Sequence, residues 1–213
     1  AHYNRGNALR GLRRFEEALA AYDRTIEIDP QDAWAHNGRG EALVATGEVE
    51  AAVGAYGEAI RLRPDYAEAH CNLGHALMRL GRFQEAVPCF RRGHELGSRR
   101  AGWANPSAEW LKDAERKAEM ERRLGQVLSG GERPRDAVER FAFAEVLYAK
   151  SHHAESARMY AEAFADDAAL AEGHRYKAAC SAALAGRSSS RRRPVPTLPG
   201  LMRYLSSEVA HRG

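Results

Sequence analysis

The chain has 213 residues, of which 44% are hydrophobic and 8% aromatic, and 32 basic residues against 29 acidic ones give a formal charge of +3. No apolar run of about 18 residues occurs, which excludes a membrane-spanning helix, and Cys71, Cys89 and Cys180 lack the C-x-x-C spacing of a zinc site or a disulfide framework. They read as free thiols in a reducing cytoplasm. From Arg187 onward six arginines stand against Glu208, a net of +5, which leaves −2 for the rest, so the basic character belongs to the tail. The start, Ala1-His2-Tyr3, carries no apolar leader and reads as the edge of a fragment.

A repeat runs through the first half. Pro30 and Pro64 lie 34 residues apart, and Gly6, Gly40 and Gly74 keep that interval, as do Ala18, Ala52 and Ala86, and Tyr22, Tyr56 and Phe90. A fixed period of this length means one supersecondary unit stacked on copies of itself. Each unit reads as two helices. In the second copy these are Ala33 to Ala45 and Val49 to Leu62, separated by Gly47 and ended by Pro64, which cannot continue a helix. Small residues sit where paired helices approach closely, and Tyr56 and Ile60 fill the wider gap.

These residues resemble the tetratricopeptide repeat. In the third copy Leu73, Gly74, Leu77, Gly81, Phe83, Ala86 and Phe90 all fall on that family's pattern, and the match covers about residues 1–97. The first copy departs from it with Arg5 in place of leucine and Arg13 in place of the turn glycine. The third has Gly93 for alanine and no closing proline, and Pro88 inside its second helix is expected to weaken or bend it.

Past residue 98 the period lapses. Asn105-Pro106 reads as an N-cap followed by a first-turn proline, opening a helix from Ser107 to Leu128 that Ser129-Gly130-Gly131 stops. A degenerate pair follows over Ala137 to Ala149 and Ala154 to Phe164, with Tyr160 in the place of Phe90 and Ala144 in that of Gly74. A last helix is expected from Leu170 to Leu184. The stretch 106–186 resembles a region that follows such repeats in some bacterial serine/threonine protein kinases, on the strength of Ser107-Ala108-Glu109-Trp110 and Gly173-His174-Arg175-Tyr176-Lys177-Ala178-Ala179-Cys180. The sequence contains no glycine-rich phosphate loop, H-R-D or D-F-G. From Gly186 a Ser/Arg/Pro-rich stretch reads as disordered, with a short helix at Leu201 to Val209.

Residues that suggest chemistry have structural readings. His2, His36 and His70 keep the 34-residue interval, and His174 holds the matching place in the last helix. They read as half-buried rings packed within their own units, because two histidines sharing zinc must each lie about 2 Å from it, whereas stacked helices are about 8–10 Å apart. His94-Glu95 lacks the second histidine of a zinc protease, and His152-His153 reads as a solvated turn. Gly38-x-Gly40 has Leu43 where a nucleotide loop needs its third glycine. Glu16, Glu17, Glu48 and Glu50 lie at helix starts and read as support for the positive dipole end. The arginine run 191–193 lacks aromatic interleaving and reads as a solvated linker. No catalytic, cofactor or metal residue is assigned.

The resemblance implies a concave groove lined by the first helices. Tyr3, Asn4, Asn7 and Arg10 come from the first copy, Trp34, Asn37, Glu41 and Val44 from the second, and Glu68, Cys71, Asn72, His75, Met78 and Arg79 from the third. Asn4 and Asn72 share one place, interrupted by Gly38, as a broken asparagine ladder able to hold a peptide backbone. Glu41 and Glu68 oppose the lysine-rich clamp that other family members use for a carboxylate. Trp34 either anchors a partner at the groove or packs on the preceding repeat.

The expectation is an all-α chain, a right-handed tetratricopeptide-type superhelix with a degenerate C-terminal helical module. Residues 1–98 would form three repeats, 99–186 a linking helix and a capping module, and 187–213 a basic tail. The function expected is cytoplasmic protein–protein interaction through a partner's peptide segment, with no enzyme activity, cofactor, nucleic acid or membrane. It could form the recognition arm of a bacterial serine/threonine kinase, and self-assembly by end-to-end stacking is the alternative. Oligomeric state is left open.

Overall fold

A computed structural model describes residues 1–171 and 174–188, with backbone alone at 175, 176, 187 and 188. The described residues form ten α-helices and one 3-10 turn, without strands. The helices are α1 (His2–Gly11), α2 (Phe15–Ile28), α3 (Ala33–Thr46), α4 (Val49–Leu62), α5 (Ala67–Arg79), α6 (Phe83–Ser98), α7 (Ser107–Leu128), α8 (Ala137–Ala149), α9 (His153–Asp166) and α10 (Arg175–Ser188). They pack pairwise as tetratricopeptide-type units and divide into two compact units, Ala1–Glu119 and a second beginning at Met120. None of the described helices is long and apolar enough to cross a membrane.

In the first unit each helix packs on the next, from α1 to α6. The first helices also touch directly, α1 with α3 and α3 with α5, and so form one layer. The close approach depends on glycine. A Cβ at Gly6 or Gly38 would meet the Tyr22 ring at 2.7 or 2.6 Å, so the fully buried Tyr22 is threaded between α1 and α3. Tyr56 lies over Gly40 and Phe90 over Gly74 in the same way. This explains Gly38-x-Gly40 as two packing positions on one helix. The beginning of α7 continues the stack, with Ala114, Trp110 and Leu111 packed around Leu77, Ala86 and Phe90.

Turns repeat as faithfully as helices. Gly47 and Gly81 adopt φ of 94° and 70°, the left-handed region, and Arg13 takes φ 60° at the equivalent place. His36 and His70 point their Nε2 atoms to the carbonyls of Pro30 and Pro64, at 3.1 and 3.0 Å, tying each first helix to the turn before it. These two rings are therefore turn fasteners, and among the described residues no group of three histidine, cysteine or acidic side chains is arranged to hold a metal.

Several details differ from expectation. Helix α6 continues past Pro88, its sixth residue, where proline costs one intrahelical N–H bond. Gly93 accommodates its neighbour: a Cβ there would lie 2.5 Å from the Cys71 sulfur. Pro106 precedes α7 and is not its first residue, because its carbonyl accepts the N–H of Trp110 at 3.2 Å.

In the second unit α8 packs on α9 and α9 on α10. Phe141 meets Tyr160 at 5.4 Å between ring centres, and Ala144 and Ala163 are fully buried beside them. Arg123, on the last turns of α7, pairs with Glu132 and Glu139 and lies 5.3 Å over the Phe143 ring. The helix expected over Leu170–Leu184 is corrected. Asp167 accepts the N–H of Ala169 on its carboxylate at 3.0 Å and that of Leu170 on its carbonyl at 3.3 Å, closing a 3-10 turn over Ala168–Ala171 before α10 begins. His174 consequently precedes α10 and packs edge-on against Phe141 at 4.8 Å. His153 is not a solvated turn residue either; it begins α9 and meets Tyr148 edge-on at 5.7 Å. Helix α10 carries two residues of the expected tail, and the remainder, with Arg191–Arg193 and Leu201–Val209, lies outside the described residues.

Candidate functional site

The layer of first helices in unit one carries the candidate site. Its centre is a polar chain across three helices. Arg10 on α1 pairs with Glu41 on α3. Asn37 donates to Glu41 at 2.8 Å, and the Asn72 amide on α5 donates to both the Asn37 oxygen and Glu41, each at 3.1 Å. Asn37 is buried at 5% exposure, as the cost of burying polar groups demands when they are fully bonded. These places sit one turn apart on helices held in register by the glycine contacts, so the chain crosses repeats without a break.

Two pockets flank this chain. One, of about 220 Å³, is lined by Glu41, Val44, Tyr56, Asn72, His75 and Arg79. Arg79 donates to the Val44 carbonyl at 3.2 Å. His75 stands edge-on to Phe90 at 4.8 Å and to Trp110 at 4.5 Å, and burial holds its pKa below the ordinary histidine range. The second, of about 230 Å³, has Trp34, Arg63, Asp65, Tyr66, Glu68 and Arg100 in its walls. Arg63 lies between the rings of Trp34 and Tyr66, 4.9 and 5.6 Å from their centres. Burial raises the Tyr66 phenol to about 12, which keeps it neutral.

Trp34 is 48% exposed, and Arg63 from the end of its own repeat lies over its ring. Tyr3 packs on Tyr22 at 6.1 Å, Asn7 accepts the Tyr22 hydroxyl at 2.7 Å, and Asn4 is exposed on α1. The structure thus brings Arg10, Asn37, Glu41 and Asn72 into one network and places His75 and Arg79 in the pocket beside it. Tyr3 and Asn7 are tied to Tyr22 instead. The asparagine at place 72 spends its amide within the protein, and Gly38 interrupts the ladder because Tyr22 occupies that space. Glu41 and Glu68 do not stand as free negative charges: Arg10 and Arg100 pair with them, the latter at 2.8 Å.

Arg63, Tyr66 and Arg100 were not legible as site residues, since they lie outside the first helices. The proline at 64, which ends α4 and brings Arg63 and Tyr66 beside α3, was the available signal. A serine and histidine do meet, with His94 Nδ1 2.9 Å from Ser107 Oγ, but Trp103 donates to the same oxygen at 3.1 Å and the hydroxyl is 1% exposed. That cluster fastens the start of α7 and cannot receive a substrate. Burial raises the Cys71 thiol to about 11 and makes it a packing group.

The fold is a helical repeat with two pockets along its layer of first helices. Models of the tetratricopeptide repeat match residues 1–32 and 67–97, and a TPR-repeat model matches 40–81; the chain carries tetratricopeptide repeats over these residues. Among solved structures it resembles the Sgt2 TPR domain of Aspergillus fumigatus at 24% identity and a TM-score of 0.53, covering 63% of this chain and 84% of that one. It also resembles the first TPR of Spaghetti (RPAP3), solved with the HSP90 peptide SRMEEVD, at 20% identity and 0.51 over 55% of this chain and 90% of that one. The P58(IPK) TPR domain covers 98% of this chain with 56% of its own length, at 20% identity and 0.59. At these identities the likeness is one of fold. No curated protein matches the chain.

Proposed function

We propose that the chain is a protein–protein interaction module whose inner layer in unit one receives an extended segment of a partner. The observation that carries this reading is Trp34, a large indole 48% exposed at the rim of a pocket formed by two successive first helices and the turn between their units. Such a side chain gains most when a partner covers it. The first TPR of Spaghetti, with its bound HSP90 peptide, supports the general mode. Segments that lie in a groove gain affinity from backbone hydrogen bonds and anchored side chains.

The test is binding of a peptide selected from a displayed random library to the full chain and to its Trp34→Ala form. Affinity is expected to fall by about tenfold or more, with the helical circular-dichroism signal unchanged. Equal affinity would remove Trp34 as an anchor, and equal affinity in Asn72→Ala as well would remove the groove reading with it.

On the resemblance of residues 106–186, we propose further that the chain is the recognition arm of a bacterial serine/threonine kinase. A kinase domain encoded in frame upstream of Ala1 is the expected finding, and a different domain there would refute it.

A further inference from the structure

We propose that this groove selects segments without net charge, held by one apolar or aromatic side chain on Trp34 and a second against Val44, and rejects strongly acidic or basic ones. The inference rests on the reading of the inner layer as a peptide site and specifies its partner.

The argument is one of charge complementarity. The carboxylates lining the two pockets are Glu41, Asp65 and Glu68. Each already faces an arginine of this chain: Arg10, Arg63 at 3.1 Å and Arg100 at 2.8 Å respectively. The remaining cation, Arg79, donates to the Val44 carbonyl in the last turn of α3, where the helix dipole is negative. An incoming lysine or aspartate would compete with these solvent-exposed pairs, and an ion pair exposed to water and salt adds little to binding, so charge on the partner gains almost nothing. Such an arrangement acts against charged competitors more than in favour of any one partner.

Apolar contacts face no such exchange. Trp34 is half exposed, and the half-buried Val44 lines the adjoining pocket above the buried Tyr56, with Glu41 common to both pockets. Covering apolar surface is favourable whether or not charges are matched. Between the two anchors, the amide nitrogen of Asn72 is spent on Asn37 and Glu41. Its carbonyl oxygen still has acceptor capacity for a backbone N–H of an extended segment.

The experiment selects peptides from a displayed random library on the full chain, then measures affinity between about 0.05 and 0.5 M salt. The expected peptides have no net charge and two apolar residues, change affinity less than about twofold over that range, and are lost in Trp34→Ala. Glu68→Gln, which frees Arg100, should improve an aspartate-containing version about three- to fivefold. Charged peptides that weaken steeply with salt yet still need Trp34 would overturn the selectivity while leaving the groove in place. Peptides indifferent to both Trp34→Ala and Asn72→Ala, or no selected peptide at all, would overturn the groove reading and this inference together.

Discussion

Arg13 and Ser151 are strained for one reason: both occupy, at φ of 60° and 62°, the turn position that Gly47 and Gly81 hold in the units between them. A side chain in the left-handed region costs roughly 1–2 kcal/mol, and Arg13 is exposed and contributes no core contact. Arg13→Gly is therefore expected to stabilise the fold by about 1 kcal/mol, read as a raised denaturant midpoint; an unchanged or lowered midpoint would contradict the strain. Gly93 works in the opposite direction. Gly93→Ala should destabilise by about 1–3 kcal/mol through overpacking against Cys71, and Cys71→Ala in the same chain should recover most of that loss, as a double-mutant cycle would show. Both departures from the repeat were visible in the sequence. The cause of the second was not, because it lies in a contact between residues on different helices. The aromatic series Tyr22, Tyr56, Phe90 shows a further pairing of this kind. Asn7 accepts the Tyr22 hydroxyl at 2.7 Å, and His75 in the equivalent place meets the hydroxyl-free Phe90 with its ring edge.

Helices were legible wherever a strong stop bounded them. Pro64 fixes the end of α4 and the double glycine at 130–131 follows the end of α7, so both match their expected ranges. The last helix was misplaced because alanine-rich sequence suits an α-helix and a 3-10 turn alike, and only the Asp167 hydrogen bonds separate the two. Helix α5 also carries a pH dependence. His70 and His75 both have pKa values lowered by burial. Above about pH 6.5 both are neutral in the folded and unfolded chain and contribute nothing. Below it the unfolded chain binds protons first, so stability is lost until the lowered values are reached. The thermal midpoint should fall on acidification from about pH 7 to 5, and His75→Phe should reduce that fall. A midpoint that holds level, or an undiminished fall in the variant, would contradict the burial of these rings.

At the scale of the whole molecule, the 34-residue period carries the architecture of the first half, and the ion pairs underlie the proposed selectivity. The first was readable from proline and glycine alone, because each repeat solves the same packing problem. The second was not, since Arg10–Glu41 joins α1 to α3 and Arg100–Glu68 reaches from beyond the end of α6 back to α5, and Glu41 and Glu68 read in sequence as free charge. Three tryptophans report on the central claim. Trp34 lies 48% exposed in the wall of a pocket, whereas Trp103 donates to Ser107 and Trp110 packs on His75. The most direct measurement is a nuclear magnetic resonance titration of the full chain with a library-selected peptide, following the three indole N–H signals. A shift of the Trp34 signal, with Trp103 and Trp110 unmoved, is the result predicted. An unmoved Trp34 beside a shifted Trp103 or Trp110 would place the partner elsewhere and contradict the groove.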